Sequence, residues 1–144
     1  MLFLGVMLAA LIGADAAQRP AITVAAADTP VRLDHATVMT PPSGPPVLLY
    51  EGVNTTGDAI DTFTVMAFVF KQDGTLKARQ TAPARRNLDA RGSKYSTLVL
   101  DGSDIDPTDI IVIGVNQVQR VNSDAWWRAD VQPAAEAAVP RKKP

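Results

Sequence analysis

The sequence predicts an all-β domain, a small antiparallel β-sandwich of six or seven strands. Apolar residues recur at every second position in short runs, the period of a strand with one face buried. Clusters of Gly, Pro, Asn and Asp punctuate those runs at short, regular spacing. No stretch of helical length carries a convincing apolar stripe at three- and four-residue intervals. A small closed β-barrel is the alternative arrangement of the same strands. The 144 residues leave room for one domain.

Leu2 to Gly13 is a 12-residue apolar run, shorter than the roughly 20 residues a membrane-spanning helix requires. Ala14-Asp15-Ala16 follows with the small-x-small pattern of a signal-peptidase site, and Ala25-Ala26-Ala27 offers a second. Residues 1–16 therefore read as a secretory signal peptide, although no Lys or Arg precedes the apolar run. The expected compartment is periplasmic or extracellular, with no stable membrane span after the leader is removed. Cleavage after Ala16 removes Asp15 and leaves 14 acidic against 14 basic residues.

Residues 17–30 are Ala-rich and predict a flexible connection to a domain spanning 31–130. Val31 to Thr40 is the first expected strand, ended by the proline-rich segment 41–46, because proline cannot donate to a ladder. Val47 to Val53 is the second, closed by Asn54-Thr55-Thr56-Gly57-Asp58. Ile60 to Lys71 is the clearest strand. Phe63, Val65, Ala67 and Val69 fall on one face and Ile60, Met66, Phe68 and Phe70 on the other, which predicts a central strand covered on both sides. Asp73-Gly74 then signals a hairpin, returning through Thr75 to Ala82 with Leu76, Ala78 and Ala82 on one face. Segment 83–92 (PARRNLDARG) reads as a polar connection to a strand over Lys94 to Leu100. A second polar loop leads to Ile110 to Val118, with Ile111, Ile113 and Val115 inward. Trp126-Trp127 closes the domain, and residues 131–144 predict a disordered tail.

The stretch from Tyr50 to Leu100 resembles small immunoglobulin-like bacterial envelope domains of the FxLyD type. Asn54-Thr55-Thr56-Gly57 after a strand, the apolar run Ile60 to Phe70 and the Asp73-Gly74 hairpin carry the resemblance, with the Leu88 to Gly92 turn before Tyr95 to Leu100. It covers about half the chain, and Phe68-Val69-Phe70-Lys71 stands where the family's Phe-x-Leu-Tyr-Asp element would be. The resemblance implies an immunoglobulin-like accessory or interaction module without catalytic residues.

Candidate chemistry is sparse. With 14 basic and 15 acidic residues the net charge is −1, unlike the basic excess of a nucleic-acid binder. Cysteine is absent, which excludes disulfides and thiolate metal sites. His35 is the only histidine, and no Gly-x-Ser-x-Gly elbow accompanies it; an ordinary strand histidine is the favoured reading. Asp101, Asp104, Asp106 and Asp109 crowd one loop, where a solvated turn is favoured over a calcium site. Lys77, Arg79, Arg85, Arg86, Arg91 and Lys94 place six cations within 18 residues, opposed by Asp89. They read as a solubilising face or as a docking patch for an anionic polymer or envelope protein. Trp126 and Trp127, adjacent on a strand, must point to opposite sides, one into the core and one to the surface. Asn54-Thr55-Thr56 matches a glycosylation sequon and is read as turn chemistry. Three functions follow: a non-catalytic binding module of the cell envelope, preferred; a carbohydrate-binding module using an exposed tryptophan, with calcium as its one candidate cofactor; and a hydrolase using carboxylates such as Glu51 and Asp61.

Overall fold

The computed structural model describes residues 17–101 and 104–140. The leader expected over residues 1–16 lies outside them. Two stacked sheets form the molecule, and neither closes into a barrel. The first contains β1 (Ala17–Pro20), β3 (Val31–Thr40), β4 (Val47–Asn54) and β8 (Ser93–Val99), neighbours in that order and all antiparallel. The second is built on the antiparallel pair β5 (Ile60–Phe70) and β9 (Ile110–Arg120). Two short strands, β6 (Leu76–Thr81) and β7 (Arg85–Leu88), share the outer edge of β5. β2 (Ile22–Thr23), parallel, and β10 (Trp126–Trp127), antiparallel, share the outer edge of β9. One helix among the described residues, α1 (Val131–Ala138), follows.

The principal core lies between the sheets. Val31, Val38, Leu48 and Tyr50 meet Phe63, Val65, Ala67, Val69, Ile111, Ile113 and Val115 there. This is the alternation anticipated for β5 and β9: every second side chain points at the opposite sheet. The other face of β5 and β9 carries Phe68, Phe70 and Val112, a second core closed by Val131, Ala135 and Val139. Val131 and Ala135, four residues apart, lie on one face of α1, and Val139 follows directly at its C-terminal end. Gly114 on β9 makes the approach feasible: a Cβ there would lie 2.8 Å from Val24 and 3.0 Å from Val131.

Four expectations change. Residues 17–24 are not a loose connection but hook both sheets together, through β1 on β3 and β2 on β9. Backbone pairing holds them (Ala21 N–H to Ala36, 3.0 Å; Val24 N–H to Ile113, 2.9 Å), and two- to four-residue edge strands have no room for a visible alternation. Residues 131–139 are not a disordered tail, because the apolar outer face of β5 supplies the surface on which an Ala-rich segment folds as a helix. The polar connection 83–92 contains β7, anchored by buried Leu88. Counting these edges, the strands number ten among the described residues rather than six or seven.

Parity also fails at bulges. Ile60 joins the inter-sheet core with Phe63, because the register shifts between Ile60 and Thr62. Leu76 packs on the helix side and Ala78 between the sheets, because the ladder skips Lys77. An extra residue in one strand reverses the facing of everything beyond it.

Candidate functional site

The chemistry-bearing residues divide among three places. The first is a groove of about 570 Å³ between α1 and the outer face of the second sheet. Trp127, Arg79, Asn116, Gln132 and Glu136 line it, with Met66 and Val131 among its apolar residues. β10 pairs Trp126 with Val118 and Trp127 with Gln117, so the two indoles point oppositely. Trp126 packs against the inter-sheet core and donates to the Asp28 carboxylate (3.2 Å). Trp127 points outward and is 66% exposed.

Arg79 and Trp127, from separate sequence clusters, therefore meet at one groove. Arg79 donates to the Gln132 side-chain oxygen (3.0 Å), and the Gln132 amide donates to Glu136 (3.1 Å). Arg128 is committed elsewhere: it pairs with Asp130 at 2.9 Å and donates to the Val24 carbonyl. That ion pair holds the Asp130 carboxyl below its ordinary value. Asn116 is the extra residue at the β9 bulge, and its side-chain oxygen accepts from the Thr64 hydroxyl (2.5 Å). The groove was only half legible: Trp127 and Arg79 are conspicuous in sequence, whereas Gln132 and Glu136 sit in the segment expected to be disordered.

The second place is the basic end. Arg85 and Arg86 are exposed on β7 and make no ion pair among the described residues. Lys94 donates to the Arg86 carbonyl (3.3 Å). Arg91 adopts a positive φ of 59° and donates to the Thr55 carbonyl. The six cations do not form one patch, since Lys77 and Arg79 face other partners.

The third is the aspartate loop. Asp109 is 3% exposed; its carboxylate accepts from Lys77 Nζ (2.8 Å) and from the Asp106 backbone N–H (2.8 Å). Asp106 lies 3.7 Å from the same ammonium. The Arg19 guanidinium of β1 donates to the carbonyls of Asp106, Pro107 and Asp109. Lys77 is held above its ordinary value chiefly by its hydrogen bond to Asp109. Lys77 and Arg19 thus already engage this loop, and Asp101 and Asp104 are exposed and belong to no group of three or more candidate metal ligands among the described residues.

The remaining candidates stay apart. His35 sits exposed at the β3 bulge with a φ of 51°. Glu51 lies on β4 opposite Asp34 and Tyr95, whereas Asp61 belongs to the other sheet. Three recesses among the described residues contain one carboxylate each: Asp34, Glu136 and Asp101. Asn54 is 1% exposed, and its amide is consumed by the turn it caps. The chain matches no protein-family model, no curated protein and no solved structure.

Proposed function

We propose that this protein is a non-catalytic binding module of the secreted or periplasmic compartment, immunoglobulin-like in construction, that holds an envelope component in the groove between α1 and β9. One observation carries the reading: a tryptophan 66% exposed beside an open groove whose polar wall is prearranged by side-chain hydrogen bonds. An exposed indole at the rim of a groove offers a flat apolar face and an N–H donor for a ligand to cover. Supporting an immunoglobulin-like module, β4 pairs with β8 and β5 with β9, which interleaves the two sheets along the chain. Against a hydrolase, Glu51 and Asp61 lie on different sheets and share none of the recesses described, so nothing brings them together as an acid–base pair.

Export is part of the proposal, and residues 17–24 bear on where the leader ends. Cleavage after Ala27 would remove β1, β2 and Val24, all packed into the sandwich, whereas cleavage after Ala16 spares them. Amino-terminal sequencing of the exported protein is expected to begin at Ala17.

The exposed pair Arg85 and Arg86 favours a second reading, docking on an anionic envelope polymer or protein. Retention on washed envelope preparations separates the two. Trp127→Ala is expected to abolish retention, and the double reversal Arg85→Glu with Arg86→Glu to leave it intact. The opposite pattern transfers the role to the basic end; retention unaffected by either change removes both surfaces from the account.

A further inference from the structure

The groove's ligand can be specified from its electrostatics and hydrogen-bonding inventory. Its lining carries Arg79, Arg128 and Glu136 as charged groups, and Arg128 is neutralised by Asp130 at 2.9 Å. Arg79 and Glu136 are bridged through Gln132 at 3.0 and 3.1 Å. The groove is therefore close to electroneutral, with no charge for an anionic polymer to seek.

Its unused capacity is mixed. A guanidinium has five N–H donors, of which Arg79 gives one to Gln132 among the described residues. The Asn116 amide engages Thr64 through its oxygen, leaving its N–H donors directed by the same constraint. The Glu136 carboxylate accepts one hydrogen bond and has lone pairs to spare. Planar donors and acceptors thus line the same groove as an exposed indole. Groups that donate and accept at once, on a scaffold with a flat C–H face, satisfy both walls; pyranose sugars have this chemistry. The groove's 570 Å³ falls within the about 300–1,000 Å³ typical of ligand clefts.

We infer that the groove binds a neutral, equatorially substituted pyranose chain, stacked on Trp127 and hydrogen-bonded by Arg79, Asn116 and Glu136. This rests on the binding-module reading and names its ligand class. Trp126→Phe, a conservative change at the core-facing position, leaves Trp127 as the single tryptophan, excited selectively over Tyr50 and Tyr95. In that background, cellohexaose or tetra-N-acetylchitotetraose is expected to produce a saturable change in emission. Trp127→Ala, made in the wild-type chain and followed by calorimetry, is expected to weaken binding at least about tenfold. Trp127→Phe, which keeps a stacking face, is expected to recover part of it, and Glu136→Gln to weaken it about fivefold. Affinity should be unchanged between low and high salt, since no net charge is matched. Envelope retention that depends on Trp127, together with no response to either oligosaccharide, overturns the sugar assignment and leaves the binding module standing. Salt-sensitive binding of polyglutamate, lost with Arg79→Glu, overturns it in favour of an anionic ligand. Retention indifferent to Trp127 removes the groove as the binding surface and defeats the sugar assignment with it.

Discussion

Asn54 and Asp109 are the two buried polar side chains among the described residues, and each organises a loop. Asn54 donates to the carbonyls of Asp58 (2.7 Å) and Asp89 (3.0 Å) and accepts from the Thr56 N–H (2.9 Å) and hydroxyl (2.8 Å). It ties the turn after β4 to the turn before β8. Asn54→Ala leaves buried backbone groups without partners and is expected to cost about 1–3 kcal/mol in urea unfolding. Asn54→Asp is expected to do no better, because a carboxylate cannot donate to the Asp58 and Asp89 carbonyls. Asp109 poses the complementary test. With Lys77 and Arg19 already at its loop, saturating calcium should leave the melting temperature where it is, since a ligand stabilises only by binding the native state. Lys77→Met should lower that temperature by stranding a buried carboxylate, and adding Asp109→Asn should restore part of the loss. A calcium-dependent rise in the melting temperature would reinstate the metal site.

At the scale of elements, legibility followed length. β3, β4, β5, β8 and β9 were placed within a residue or two because alternation over seven or more positions has few competing explanations. β1, β2 and β7 were missed because two to four residues carry no periodicity; their existence depends on edges supplied by β3, β9 and β5. The helix is the instructive case. Met66, Phe68 and Phe70 announce a second buried face on β5, which requires a cover, yet the Ala and Pro content of the segment providing it reads as disorder. Pro133 is compatible with the first turn, where the backbone N–H has no helical partner, and Val131, Ala135 and Val139 hold the required spacing. Propensity alone does not make an eight-residue helix stable in water; the sheet beneath it does. Gly114→Ala tests that dependence, because its methyl would enter space held by Val24 and Val131. It is expected to cost about 1–3 kcal/mol and to loosen α1 selectively, read as faster amide exchange over 131–139 than over β5. Uniform exchange across both would mean that the helix is not the element displaced.

For the molecule as a whole, a formal charge of −1 keeps long-range self-repulsion small near neutrality, so local pairs govern the response of stability to pH. Three carboxyls are held below their ordinary value: Asp34 by its hydrogen bond to Arg32, Asp73 by the Thr75 backbone N–H, and Asp130 by its hydrogen bond to Arg128. Their stabilisation is complete above the unfolded value of 3.8 and is lost as acid protonates the folded form. Four groups are held above theirs: Tyr50 by burial, Tyr95 by its hydrogen bond to Glu51, Lys77 by Asp109 and Arg32 by Asp34. Their contribution is complete below the unfolded values, the lowest being 10.0 for the tyrosines, and fades as pH rises through the folded ones. Melting temperature should therefore trace a plateau from about pH 4 to about pH 10 with a fall on each side. Asp34→Asn combined with Asp130→Asn should flatten the acid side, and molar salt should do the same, because both ion pairs include exposed partners. Tyr50→Phe should delay the alkaline fall, since the core would then hold no phenol to be ionised on unfolding. A stability step in the neutral range, preserved in these variants, would place control in a group outside these pairs.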